Sequence, residues 1–492
     1  MKKIFIPLAF ILLFTALIFP VGNSMRESFE YNVDEGMDLM VTSLFFKGFS
    51  LYERIWNDQP PLFYIMLSHW FKFLSPSVFY ARVFILIFSL ILLWAFYKTI
   101  EIEWGSVAAF IGVIGLLFSS FYLHLSTSVM IGTVAISLAM LSIYFIKAYR
   151  KTGLMHFLIL SAVFMALSML TKLFTAFLIP LFILEIVFAN KERKRSYLQS
   201  FLFLGSLSLL LLGVISYFFH TDFRMVFQQL VLPHFYAKLH FPDSDWLFFR
   251  EFLLADYAVV LLALAGVILL IFKKKWRFFF PVGWLILIAV VLAIHRPIYY
   301  HYYPFVSLPV CWLSAIGVKE LLSFKKSHLI RWLTITLIAL FIFRLPVKWT
   351  RMVDNVRGYT SPEHAQIMNL LFKYRPITHW MFTDRPIFAF YANIPVPPEL
   401  AIITEKRGLQ SNKMRGYLKH TLQRYNPELI LLNQMQFYGP EVISYIKENY
   451  ALIYQNEIPE WNWSSGLGKF EKRGSFVFLL LRKDIAKNED KN

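Results

Sequence analysis

Apolar residues run along this chain in windows of about 17 to 25 positions, the length a helix needs to cross the hydrocarbon core of a bilayer. Eleven windows are read: 4–21, 78–99, 106–123, 128–147, 154–170, 173–189, 198–219, 253–272, 278–294, 304–323 and 328–346. Short basic segments separate them at 147–151, 191–195, 273–277 and 325–331. Together with Lys2 and Lys3 these fall on one side, and Lys and Arg collect in cytoplasmic loops. The predicted orientation therefore has the N-terminus in the cytoplasm, and the first loop and the C-terminal tail outside. The pair 154–170 and 173–189 admits a hairpin or one long helix. The hairpin is favoured, because a single helix would place 191–195 outside.

The pattern changes after Pro346. Residues 350–492 contain no membrane-length apolar run. Short apolar stretches at 380–383, 429–432 and 476–481 read as buried strands, with a helical pattern at 439–450. The predicted fold is an all-α polytopic membrane domain of about 11 transmembrane helices (1–346), followed by a small extracytoplasmic α/β domain (347–492). The latter is long enough to form its own core. Residues 1–24 begin Met-Lys-Lys, continue as the first window and lack an evident small-x-small cleavage site, so they read as a retained span and not a cleaved signal.

Composition agrees with this class. The chain has 492 residues, 58% hydrophobic and 16% charged, too apolar for an ordinary soluble protein. Its net charge of +18 follows from cytoplasmic loops and does not call for nucleic acid. The single cysteine, Cys311, lies in a span and excludes an intrachain disulfide.

Against this basic background, the first loop (22–77) is acidic. It holds Glu27, Glu30, Asp34, Glu35, Asp38, Glu53 and Asp58 against four Lys and Arg. Within it, 62–73 is apolar with Ser68, His69 and Lys72, the pattern of an interfacial helix. Another loop, 220–252, mixes aromatics with His234, Lys238, His240, Asp243, Asp245 and Arg250. A third, 295–303, is dense in His and Tyr. No His-x-x-x-His or Cys-x-x-Cys pair is present, and no Gly-rich phosphate loop. No metal or other cofactor is predicted; Asp34, Glu35 and Asp38 alone are poor support for a hard cation.

Three pieces recur in order: Asp34-Glu35 after the first span, Pro60-Pro61 about 25 residues on, and Arg82 entering the second span. In this the chain resembles the GT-C glycosyltransferases, which include protein O-mannosyltransferases and the aminoarabinose transferase of lipid A. The resemblance covers about residues 1–345. It implies an enzyme of a cell (cytoplasmic or inner) membrane that takes a sugar, hexose or pentose, from a polyprenyl-phosphate carrier. The sugar passes to a hydroxyl of a protein, lipid or glycan on the extracytoplasmic face. The carrier sugar is then a substrate, and membrane lipid a partner.

The same resemblance implies roles. Asp34 is the base that takes the acceptor's proton, with Glu35 supporting it. The alternative for both is a helix N-terminus, where acids are stabilised by the backbone dipole. Arg82 meets the leaving phosphate, or else snorkels to headgroups. Lys172 meets the lipid phosphate or anchors at the interface. Arg296, His301 and Tyr302 bind donor phosphate or sugar, or form an aromatic belt. Asp58 and Gln59 contact acceptor or sugar, although relatives often carry a basic residue where Gln59 stands. Residues 124–133 hold no Asp or Glu where many relatives have a second acid. Two other functions compete with glycosyl transfer: a polytopic transporter or lipid flippase, and a non-catalytic assembly subunit with the same fold.

Overall fold

The computed structural model describes residues 22, 25–189, 193–219, 222–234, 250, 253–275, 278–295, 298–323, 328–356, 360–403, 407, 412–433, 435–464 and 469–489. The window at 4–21 and Arg296 lie outside them, as does most of 235–252.

Two helices precede the bundle, α1 (Val33–Phe46) and α2 (Leu62–Phe73). The bundle then contains α3 (Val78–Trp104), α4 (Ser106–Leu117), a short α5 (Tyr122–Thr127), α6 (Ile131–Thr152), α7 (Met155–Thr171), α8 (Ile179–Ala189) and α9 (Arg193–Phe219). It closes with α10 (Tyr257–Phe272), α11 (Phe280–Ile294), α12 (Pro304–Leu322) and α13 (His328–Val356). Among the described residues, four helices are both long and apolar enough to span a bilayer, within α3, α6, α9 and α12. Five further apolar helices are shorter.

Local chemistry sets the boundaries. Ser77 caps α3 by accepting from Tyr80 N, and Gly105, at φ 83°, ends it. Gly153, at φ 73°, ends α6 in the left-handed conformation that glycine tolerates. Gly266 of α10 and Gly317 of α12 face each other's backbones with no room for a Cβ, the small-residue packing expected between membrane helices.

The hairpin reading of 154–189 is correct. The chain leaves helix at Lys172 (φ −151°, ψ 113°), makes a 3-10 turn at Leu173–Leu178 and returns as α8. There Glu185 meets Lys147 at 2.8 Å and Arg150 at 2.6 Å. Lys147 also holds Glu103 at 2.8 Å, so α3, α6 and α8 are pinned at the bundle end opposite Lys172.

Helix α13 continues through Pro346 for another ten residues, beyond the window at 328–346. The α/β segment follows as α14 (Pro362–Tyr374), β1 (Met381–Thr383), α15 (Pro386–Ala392), α16 (Asn412–Tyr425), β2 (Leu429–Leu432), α17 (Gly439–Asn449), β3 (Tyr450–Ser464), β4 (Lys469–Arg482) and α18 (Lys483–Glu489). The sheet order is β1-β2-β4-β3, with β1 and β2 parallel and the other pairs antiparallel.

Side chains alternate across the sheet as a strand requires. Phe382, Ile430, Leu432 and Leu480 pack on Leu418, Leu422, Val442 and Ile446. Met381, Leu429, Leu431 and Leu479 share a second core with Leu39 and Leu44 of α1 and Phe63 of α2. The α/β segment thus has its own core on one face and a common core with α1 on the other. Where α15 meets α1, Gly36 touches the backbone of Ile387, and Arg385 pairs with Glu30 at 2.6 Å.

Candidate active site

Helix α1 opens at Asn32, whose extended backbone places Oδ1 2.8 Å from Asp34 N. This cap satisfies one of the free N–H groups of the first turn. Asp34 and Glu35 follow, and a helix turns about 100° per residue, so they point to different sides.

Glu35 points inward and is fully buried. Its Oε1 accepts from Arg82 Nε at 2.9 Å and from Val129 N at 3.1 Å. Its Oε2 accepts from Arg82 Nη2 at 2.7 Å and from Tyr31 N at 3.0 Å. Arg82 is 0% exposed; its Nη1 donates to Met25 O at 2.7 Å and Ser28 O at 2.8 Å, and its guanidinium lies 4.2 Å from the Tyr31 ring centre. Four of its five N–H groups are thereby used on protein. Arg82, expected to meet a leaving phosphate, forms with Glu35 a buried pair that ties α1 to α3.

Asp34 points the other way, with 44% of its side chain exposed. His301 Nδ1 lies 3.8 Å from its Oδ2. The turn that carries His301 (Tyr300–Tyr302, 3-10) touches a different element with each residue. Tyr300 OH accepts from Asn32 Nδ2, the residue that caps α1. Tyr302 OH bonds His295 Nε2 at 2.8 Å, and its ring lies 4.7 Å from Lys172 Nζ. Tyr303 donates to Asp256 at 2.7 Å. Lys172 reaches this place because its break in helix projects it over Tyr302, beside Gly132 of α6.

Asp38, one turn after Asp34 on the same face of α1, accepts from Tyr64 OH at 3.0 Å. Burial raises the Asp38 carboxyl well above the usual carboxylate range, and the charge of Asp34 raises it further; Asp58 adds to the rise, while Tyr64 and Lys172 oppose it. Asp34, Asp38, Asp58 and Lys172 therefore lie in one electrostatic neighbourhood.

Asp58 and Gln59 sit on the Asn57–Gln59 turn. Gln59 Nε2 donates to Asp58 Oδ1 at 3.2 Å, and Asn57 Nδ2 to Gln59 O at 2.9 Å. His234 Nε2 stands 3.9 Å from Asp58 Oδ2.

Of the residues expected to act, the fold gathers Asp34, His301, Tyr302 and Lys172, with Asp58 and Gln59 on the Tyr64 side; Arg296 lies outside the described residues. Sequence reasoning missed Asp38 as a site residue. The i, i+4 spacing from Asp34 was the available signal. His295 was also missed; His124, in the stretch that lacks the second acid, is buried between the rings of Tyr31 and Tyr300. Among the described residues, no group of three or more His, Cys, Asp or Glu is arranged to hold a metal ion.

Residues 58–218, about a third of the chain, match the family described as dolichyl-phosphate-mannose-protein mannosyltransferase. No curated protein matches the chain by sequence. Among solved structures, ArnT from Cupriavidus metallidurans bound to undecaprenyl phosphate superposes with a TM-score of 0.63 at 11% identity, covering 96% of this chain and 98% of that one. The archaeal oligosaccharyltransferase AglB from Archaeoglobus fulgidus, in complex with an inhibitory peptide and a dolichol-phosphate, gives 0.52 at 12% identity, covering 94% of this chain and 74% of that one. In fold over nearly its whole length, and in sequence over the matched segment, this chain resembles the GT-C membrane glycosyltransferases.

Proposed function

We propose that the chain is a membrane glycosyltransferase that moves a sugar from a polyprenyl-phosphate carrier to an acceptor hydroxyl on the extracytoplasmic face. The observation that carries this reading is the position of Asp34. It is half-exposed, held at a capped helix start, and faced by His301 with Lys172 and Tyr302 behind it. An acidic group thus stands beside basic ones at one partly open position, which suits a base and a phosphate ligand set serving one sugar carbon.

In the proposed step, Asp34 accepts the proton from the acceptor hydroxyl as its oxygen bonds to the anomeric carbon. The bond from that carbon to the phosphate oxygen breaks, and the electron pair leaves with the phosphate. Direct displacement inverts the carbon. Lys172 and His301 stabilise the charge that develops on the phosphate, and Tyr302 orients both. Asp58 and Gln59 lie on the acceptor or sugar side. The lipid phosphates bound by ArnT and AglB support a lipid-phosphate carrier here.

Arg82 and Glu35 have a different part in this proposal. They fix the start of α1, so Asp34 keeps its aim. The acid absent from 124–133 is offset by Asp38 and Asp58, which stand on α1 and on the turn before α2. The helices to α13 are assigned to the membrane and the α/β segment to the extracytoplasmic side, where its contact with α1 lets it help choose the acceptor. The test is carrier turnover in purified membranes, with hexose and pentose polyprenyl phosphates offered singly to wild type and Asp34→Asn. Turnover that is lost only in the variant supports the assignment. Undiminished turnover in Asp34→Asn removes Asp34 as the base.

A further inference from the structure

A second buried polar centre lies at the end of the bundle that carries the candidate site. Asp256 occupies the N-cap position of α10, yet its side chain makes no capping bond. It is 4% exposed and accepts instead from three other segments. Ser120 donates from N at 3.2 Å and from Oγ at 2.9 Å. Tyr303 OH donates at 2.7 Å, and Lys348 of α13 pairs with it through Nζ. Lys348 Nζ also donates to Phe118 O at 3.1 Å. A buried carboxylate needs this number of donors, and a buried ammonium needs such partners.

What these donors are attached to matters more than the charge pair. Tyr303 directly follows Tyr300, His301 and Tyr302, which contact Asn32, Asp34 and Lys172. Ser120 leads into α5, where His124 packs against Tyr300 and Tyr31. Lys348 stands on the helix that leads into the α/β segment. One carboxylate therefore holds both walls of the site and the root of the α/β segment.

We propose that Asp256 is a positioning residue for glycosyl transfer: through Tyr303 it fixes the turn that sets His301 against Asp34. Through Lys348 it ties that setting to α13. The inference rests on the function proposed above for its kinetic consequence, but not for its structural one.

The test has two arms. The first compares turnover in wild type, Tyr303→Phe, His301→Ala and the double variant, since Tyr303→Phe removes one hydroxyl and leaves the ring packing. One lost hydrogen bond to a charged group predicts a fall in kcat of about 10-fold with little change in KM for the carrier. In the His301→Ala background, Tyr303→Phe should add no further loss, because both act through the same group. Unchanged kcat, or losses that multiply in the double variant, overturn the proposal. The second arm measures amide hydrogen exchange in wild type, Tyr303→Phe and Lys348→Met. Joint loss of protection at 298–303 and 119–125 in both variants is expected, and unchanged protection there contradicts the positioning. If wild type turns over no carrier, the proposed function fails, and the exchange arm still decides the role of Asp256.

Discussion

The Arg82–Glu35 pair gives the sharpest contrast between two roles for one residue. Both side chains are 0% exposed, and Arg82 spends two N–H groups on the carboxylate and two on the carbonyls of Met25 and Ser28. Glu35 in turn accepts from the backbone N of Tyr31 and Val129. Removing either partner leaves an uncompensated charge in the interior, which costs about 3–5 kcal/mol. That is a large part of the roughly 5–15 kcal/mol by which a folded domain is stable. Arg82→Met and Glu35→Met should each sharply lower the temperature at which detergent-solubilised protein loses its monodisperse peak. The double variant should recover only part of the loss: the unpaired charge is gone, but the backbone N–H groups of Tyr31 and Val129 lose their acceptor. Arg82→Lys should fall between, since an ammonium keeps the charge without the two-pronged match to the carboxylate. An Arg82→Met protein as heat-stable as wild type, with only its KM for the carrier raised, would return Arg82 to the role of phosphate ligand and refute this assignment.

The other predictions concern separate links. Gly36→Ala places a Cβ 2.7 Å from Ile387 N and 2.9 Å from both Ile387 Cβ and Glu30 Oε1, an overpacking of about 1–3 kcal/mol. It should raise hydrogen exchange in α15 before the rest of the chain; unchanged exchange there contradicts the close contact. Lys172→Met should lower kcat/KM for a polyprenyl-phosphate sugar about 10- to 100-fold, the worth of one charge-assisted hydrogen bond; steady-state kinetics at fixed acceptor read this directly. His364, the N3 residue of the Ser361 capping box, is held down to about 4 by burial and then by Arg385. Its folded form stays neutral while an unfolded imidazole protonates below about 6.5. The resulting stability is complete above pH 6.5 and declines as pH falls toward 4, by up to about 3 kcal/mol. His364→Gln keeps the cap without the titration, so its melting temperature should vary less between pH 6.5 and 4 than that of wild type.

The helices of the bundle were legible because span length is a property of composition, and their positions survive local variation in packing. The strands at 381–383 and 429–432 were legible for a related reason: short apolar runs with both faces buried have few other uses. The break at Lys172 was read correctly from the charge pattern. The roles within Asp34-Glu35 were harder, since neighbouring acids on a helix diverge and the sequence does not say which one a distant Arg will claim. The fold sends Glu35 to Arg82 and leaves Asp34 at the surface. Asp256 carried only a faint signal, an acid near the start of the window at 253–272. It looks like an ordinary acid at a helix start, while its donors are 136, 47 and 92 residues away. Contacts at such separations are set by packing of the bundle, not by local pattern.

The central claim is that Asp34 is the base in transfer from a polyprenyl-phosphate carrier. The most direct measurement is single-turnover transfer by purified wild-type and Asp34→Asn protein, each checked for an unchanged melting profile. General-base catalysis is worth about 100- to 10,000-fold, so Asp34→Asn should slow the step by that factor while carrier binding persists. Transfer at the wild-type rate in a folded Asp34→Asn protein would contradict the account.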